Sequence, residues 1–265
     1  MPLVVMLHGC AQTAVEFAAG TRMNQLGESK GFGVLYPQQT LRMNANRCWH
    51  WYKKPVQHGK GEAAMIADLI KQVVSQNGFD STRIYLGGIS AGAAMAHIVA
   101  LQYPEIIAAV GLHSAPVYGA AHNAATAFAV MQNGGPPHAE IGSDAAFLAA
   151  ADRIKMPAIL IQGRDDTVVR PVNLTRLESQ FCQMNGLSAA QRQPIARHAA
   201  GKTARSAHAF DTVDYQLGRR TLLRVCQIFD LPHAWSGGDA TYRFNERRGP
   251  DASRMLWNFF ARHRR

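Results

Sequence analysis

The residues of this chain that could do chemistry are a serine, an aspartate pair and a histidine, each set off by a strand. Gly88-Ile89-Ser90-Ala91-Gly92 reads G-x-S-x-G. A nucleophilic serine in that pattern stands on a sharp, strained turn between a strand and a helix, so that its hydroxyl projects above the sheet. The flanking glycines leave room for strand and helix to come close. The plainer alternative is a tight turn whose serine only caps the helix. The context favours the nucleophile, because 83–86 reads as a strand and 91–103 as a helix stopped by Pro104.

A serine hydroxyl needs a base to take its proton and an acid to orient that base, in the chain order serine, acid, base. Segment 158–162 reads as a strand and runs into Gly163-Arg164-Asp165-Asp166-Thr167-Val168-Val169. An acid at the carboxyl end of a strand is where such a site requires it. Asp166 fits a G-x-x-D-x-x-V pattern, which leaves Asp165 as an exposed loop carboxylate. Segment 221–229 is the last strand and leads to His233, the expected base. His208 is the rival, but its segment, 206–217, alternates like an earlier strand. His97, inside a helix, and His113, at a strand end, read as packing residues.

The developing oxyanion needs two N–H donors. One is Ala91, directly after the serine and at a helix N-terminus. The other is Cys10, in Leu7-His8-Gly9-Cys10 after the first strand, where Gly9 lets the backbone approach a substrate carbonyl. His8 itself reads as structural. This chemistry calls for no metal and no cofactor.

The positioning elements alternate strand and helix. Strands are expected at 3–7, 33–36, 83–86, 107–112, 158–162 and 221–229, and helices at 21–30, 62–76, 91–103, 171–185 and 253–262. Segment 62–76 carries Ala63, Ile66, Ala67, Ile70, Val73 and Val74 at helical spacing, with Glu62 in its first turn and Gly78 beyond its end. This order implies an α/β fold of the α/β-hydrolase type, with a mostly parallel sheet and helices on both faces. Segment 120–151, rich in Ala, Gly and Pro, reads as a small insertion over the site. Segment 191–204 reads as an exposed loop. The 265 residues suit one catalytic domain spanning 1–265.

Hydrophobic residues make up 47% and charged residues 17%, which suits a globular core and excludes disorder. No run approaches a membrane span. The net charge is +10, densest at Arg219-Arg220, Arg247-Arg248 and the Arg262, Arg264, Arg265 tail. No basic run interleaves with aromatics as a single-strand binder needs, so a nucleic-acid partner is not expected. Adsorption to an anionic surface is the weaker use for this charge. The start of the chain lacks a signal peptide's features. The four cysteines form no C-x-x-C pair.

Together the segments resemble the polyhydroxybutyrate depolymerase-type esterase family, related to feruloyl and acetylxylan esterases. The pieces that carry the resemblance are Leu7-His8-Gly9-Cys10-Ala11-Gln12, Asn46-Arg47-Cys48-Trp49-His50-Trp51, the serine motif, Gln162 to Val169, and His233-Ala234-Trp235-Ser236-Gly237-Gly238. The resemblance implies a serine esterase acting on short-chain 3-hydroxyacid polyesters or related esters, often outside the cell. It places Cys10 beside Cys48 and predicts a disulfide there. Cys182 and Cys226 read better as buried free thiols than as a second disulfide. Trp49, Trp51 and Trp235 are expected to border an ester cleft, or to pack the loop against the core.

Two departures from the family pattern stand out. Gln162 replaces the usual histidine, a change expected to alter local hydrogen bonds without touching the catalytic residues. The family's extra N-terminal strands do not precede Leu3, which leaves a sheet edge less covered. Small-ester or oligomer hydrolysis is favoured over attack on solid polymer. A feruloyl- or acetylxylan-type esterase is the alternative, and a non-catalytic binding protein on the same scaffold is the alternative of a different class.

Overall fold

The computed structural model describes residues 1–135, 155–201 and 207–265. Its main sheet has eight strands in the order β2-β1-β3-β4-β5-β8-β7-β6. These are β1 (Leu3–Leu7), β2 (Gly33–Leu35), β3 (Ile84–Ile89), β4 (Ala109–His113), β5 (Ala158–Gly163), β6 (Ala196–His198), β7 (Phe210–Leu217) and β8 (Arg220–Ile228). From β2 across to β8 every pairing is parallel, and β7 and β6 add an antiparallel edge. Two short strands, β9 (Trp235–Ser236) and β10 (Asn245–Glu246), pair beside it.

Side chains alternate across the sheet with the strand period of two. Leu3, Val5 and Leu7 enter one core, and Val4 and Met6 enter the other. The first core is closed by α4 (Glu62–Asn77), α5 (Ala91–Gln102) and α7 (Val172–Asn185), through residues such as Ile66, Ile70, Met95, Leu177 and Phe181. The second is closed by α1 (Ala14–Thr21), α2 (Met23–Lys30) and α8 (Ala252–Phe260), through Phe17, Met23, Leu26, Leu256 and Phe260. Both faces are therefore dry, which is why the central strands are continuous apolar runs. Helix α5 is buried from Ala91 to Leu101, and its small residues let it lie close on the sheet.

The expected elements are all present, with ends shifted by a few residues. Helix α1 and the short α3 (Lys54–Gln57) were not foreseen, nor was strand β6 inside the segment read as a loop. Helix α1 was missed because only Phe17, Gly20 and Thr21 of it are buried, so its apolar periodicity is weak. Its Thr13–Glu16 capping box was nevertheless legible. Of the expected insertion, 120–151, the described part contains α6 (Ala124–Asn133), and residues 136–151 lie outside the described residues. Among the described residues, the edge beyond β1 is formed by the three-residue β2 alone. No helix among the described residues is long and apolar enough to cross a membrane.

The strand order reverses around β1, which has β2 on one side and β3 on the other. Ligands of such sheets bind outside the carboxyl ends of the strands at that reversal. The loops leaving β1 and β3 there carry His8–Cys10 and Ser90.

Candidate active site

Ser90 sits between β3 and α5 with φ 57° and ψ −126°, a conformation an L-residue adopts only when its surroundings impose it. The surroundings are visible. The Ser90 N–H donates to His113 O at 3.0 Å. A Cβ on Gly92 would overlap the carbonyl oxygens of Leu7 and His8, and one on Gly88 would come within 2.6 Å of Leu7 O. The glycines thus allow α5 to start hard against the end of β1. Ser90 is buried at 8% exposure.

Asp166 and His233 meet. His233 Nδ1 lies 2.8 Å from Asp166 Oδ2, with the carboxylate fully buried and the imidazole 11% exposed. Their loops, after β5 and β8, are locked together: Arg164 N–H donates to Ile228 O at 2.7 Å and Asp165 N–H to Leu231 O at 3.2 Å. Gly163 makes this contact possible, because any Cβ there would strike Leu231 O. Asp166 Oδ1 accepts from the N–H groups of Val168 (3.0 Å) and Val169 (2.8 Å). Burial by itself would raise the Asp166 pKa. The hydrogen bond and charge of His233, with the Val169 N–H and the Ser114 hydroxyl, outweigh it and hold the carboxyl below its ordinary value. Ser90 Oγ makes no hydrogen bond to His233 among the described contacts. Such bonds commonly form only once substrate is bound.

The two expected oxyanion donors lie at neighbouring strand ends. Gly9 N–H is engaged by Gln12 Oε1 at 2.8 Å and Ala11 N–H by Asn46 O at 2.7 Å. The Cys10 N–H between them, and the Ala91 N–H at the start of α5, donate to no group among the described residues. Cys10 is disulfide-bonded to Cys48, while Cys182 and Cys226 are free. Asp165 is exposed and His208 is buried in front of β7, with Nδ1 4.0 Å from Asp230. Neither joins the Asp166–His233 pair.

Three expectations need correction. Trp235 does not border a cleft: at 1% exposure it packs edge-on to Phe17, stacks on His113 and donates Nε1–H to Ser253 Oγ at 3.1 Å. Trp51 is buried at 5% in the core, and Trp49 at 4% donates Nε1–H to His8 O at 3.0 Å. Trp49 still lines a cavity of about 300 Å³ with Pro37, Met43 and Met65. The third correction is Gln162. It is 1% exposed and donates Nε2–H to Asp166 Oδ2 at 3.0 Å and to Val169 O at 2.9 Å. It therefore grips the aspartate that meets His233.

Sequence reasoning also missed a second carboxylate–imidazole pair. Glu62, 7% exposed, accepts from His50 Nδ1 (2.7 Å), His50 N–H (2.7 Å) and Gln39 Nε2 (2.6 Å). His8 Nε2 in turn accepts the Gln39 N–H at 3.1 Å, and its Nδ1 bonds Gly9 O at 2.8 Å. This network and the disulfide brace the loop that carries Cys10. The signal was present: Glu62 opens α4, and His50 lies in the Cys-Trp-His-Trp run. Helix periodicity, however, assigns Glu62 only a role at the helix N-terminus. Likewise His113, read as packing, also holds the Ser90 N–H through its carbonyl.

Residues 1–206 match the family model described as esterase PHB depolymerase. The chain belongs to that family. Poly(3-hydroxyalkanoate) depolymerase C of Paucimonas lemoignei is 32% identical over 193 residues, 70% of this chain and 45% of that protein. Feruloyl esterase B of Thermothelomyces thermophilus is 28% identical over 199 residues, 72% of this chain and 67% of that protein. The chain thus spans less than half the length of that depolymerase. Among solved structures, an acetyl xylan esterase from Aspergillus awamori superposes with a TM-score of 0.74 at 18% identity, covering 98% of this chain and 88% of that one. That likeness shows the fold: this esterase PHB depolymerase family member has the α/β-hydrolase fold.

Proposed function

We propose that the chain is a serine esterase of short-chain carboxylic esters, in which Ser90 is the nucleophile, His233 the base and Asp166 the acid that orients it. The observation that carries this reading is the 2.8 Å contact of a buried carboxylate with His233 Nδ1, in a chain whose G-x-S-x-G serine is held at positive φ. Asp166 keeps the proton on Nδ1, so that Nε2 faces the serine as an acceptor. Ser90 Oγ attacks the ester carbonyl and its proton passes to Nε2. The alkoxide of the tetrahedral intermediate takes the Cys10 and Ala91 N–H groups. His233 then returns the proton to the leaving alcohol, and a water repeats the cycle on the acyl-serine.

The substrate class we favour is oligomeric 3-hydroxybutyrate-type esters, on the strength of the family and of the depolymerase relative. An acetylxylan- or feruloyl-type ester is the second reading, supported by the feruloyl esterase relative. The Cys10–Cys48 disulfide suits an oxidising compartment outside the cytoplasm. The test is hydrolysis of p-nitrophenyl esters from acetate to octanoate, then of 3-hydroxybutyrate trimer against acetylated xylan and methyl ferulate, with Ser90→Ala alongside. Turnover that falls with acyl length and vanishes in Ser90→Ala is expected. Turnover equal in both proteins would refute the assignment of Ser90.

A further inference from the structure

Ester hydrolysis makes no use of the net charge of +10. Two of its clusters, separate in the sequence, are joined by the fold. Strand β7 ends at Leu217 and β8 begins at Arg220, so Gly218, with φ 60°, and Arg219 form the turn. The tail after α8 is pinned to the same end of the sheet. Tyr85 Oη–H donates to His263 O at 2.8 Å, and Arg265 N–H to Thr82 O at 3.0 Å. This is the end where the parallel strands start, opposite Ser90. The six residues of β3, Ile84–Ile89, separate the two ends by about 20 Å.

A cavity of about 100 Å³ opens there, walled by Arg219, Arg220, Arg224, Arg262, Thr221 and His263. A neighbouring cavity of about 270 Å³ shares Arg220 and adds Lys155, Arg264 and Arg265. Among the described residues, no aspartate or glutamate lines either. Arg224 is committed to Asp214 in a bidentate pair at 2.7 and 2.6 Å, and Arg264 to Asp80 at 2.9 Å. Arg219, Arg220 and Arg262 are exposed and have no carboxylate partner among the described residues. His263 is 3% exposed, and its Nδ1 has no hydrogen-bond partner among the described residues. Its burial, helped by the charges of Arg220 and Arg262, pushes its pKa down to about 4. It stands in the wall as a neutral, unsatisfied polar group.

Like charges gathered without counter-charge repel one another, and an unpaired buried ring nitrogen carries a desolvation cost. One ligand relieves both. Guanidinium forks match the oxygens of a tetrahedral oxyanion two at a time, and the Thr221 hydroxyl and His263 supply neutral hydrogen bonds. We propose that this basal cavity is a binding site for a phosphate-class oxyanion, free or borne on a lipid headgroup, and that its occupation leaves the catalytic end of the sheet open.

The test compares the wild-type chain with Arg219→Ser/Arg220→Ser/Arg262→Ser and with a charge-matched control, Lys30→Ser/Lys53→Ser/Lys54→Ser. All six positions are exposed. Inorganic phosphate is titrated calorimetrically, and each protein is co-sedimented with phosphatidylcholine vesicles with and without phosphatidic acid. Expected is binding of phosphate by the wild type and the lysine control, weakened at least about tenfold in the arginine variant, with p-nitrophenyl acetate hydrolysis unchanged in all three. Sedimentation with the phosphatidic acid vesicles alone, lost in the arginine variant, would identify the headgroup as the source. Phosphate binding without sedimentation would identify the free ion. Equal losses in both variants, equal binding by the wild type and the arginine variant, or no binding of either probe would overturn the site.

Discussion

Replacing Gln162 with leucine tests whether Asp166 is held as the structure shows. Leucine has nearly the volume of glutamine, so the perturbation is the loss of two hydrogen bonds rather than a cavity. One of them runs to the Asp166 carboxylate at 3.0 Å, and a hydrogen bond to a charged group contributes about 1.5–3 kcal/mol. The other runs to Val169 O at 2.9 Å, and a buried carbonyl left unpaired costs about 1–3 kcal/mol. The sum is about 2.5–6 kcal/mol of folding stability at neutral pH. At a urea slope of about 3 kcal/mol/M this lowers the midpoint by about 0.8–2 M. The sign with pH follows from Asp166, whose folded pKa lies below the ordinary carboxylate value. The first bond strengthens only the ionised form, so its contribution is complete above the unfolded pKa of 3.8. It fades as the pH falls through the lower, folded value. The wild-type and Gln162→Leu midpoints should therefore approach each other, by the share of the first bond, as the pH falls below 3.8 and through the lower folded value. Gln162→His, with one ring N–H in its neutral form, can reach only one of the two acceptors and should fall between them. Urea unfolding of the three proteins across pH, with p-nitrophenyl butyrate turnover alongside, is the assay. A Gln162→Leu midpoint within error of wild type at neutral pH, or a gap that does not narrow in acid, would refute the reasoning.

Two further outcomes follow from the buried groups around the site. Cys48→Ser opens a disulfide with a sequence separation of 38, for which the chain-entropy model gives about 4 kcal/mol. Thermal melts should show a loss of about 2–4 kcal/mol, and turnover should fall more than that of Cys182→Ser, because only Cys48 braces the Cys10 loop. Burial holds His97 and His113 down to about 3 and His263 to about 4, against 6.5 when unfolded. As the pH drops below 6.5 the unfolded chain takes up protons that the native chain refuses. Each of the three then removes about 1.4 kcal/mol per pH unit. Both ring nitrogens of His97 lack hydrogen-bond partners among the described residues, so His97→Leu should keep neutral-pH stability within about 1 kcal/mol and reduce the acid slope by about 1.4 kcal/mol per pH unit. An unchanged slope would show that His97 does not titrate as its burial implies.

The local signals of this chain were strong wherever one residue type serves both backbone and chemistry. Gly88, Gly92 and Gly163 are needed because backbone passes within contact of them, and a glycine at a strand end is visible in any sequence. The apolar runs of β1, β3, β4 and β5 announced a sheet buried on both faces, and the order of serine, aspartate and histidine along the strand ends followed from that topology. What a side chain touches across the sheet was not legible. Nothing near Trp235 in the sequence says that His113, Phe17 and Ser253 surround it, since its neighbours come from three distant segments. Glu62 looked like a helix-start carboxylate until the fold folded Gln39 and His50 onto it. Gln162 looked neutral because its partners depend on how the chain turns at Gly163. The same holds for the charge. Arg219-Arg220 and the C-terminal arginines were two scattered clusters in the chain, and only the return of α8 to the base of the sheet made them one wall. Propensity and spacing act over a few residues and were decided by the sequence. Hydrogen bonds and fields act over a few ångströms, and which residues lie within that reach is settled only when the strands close.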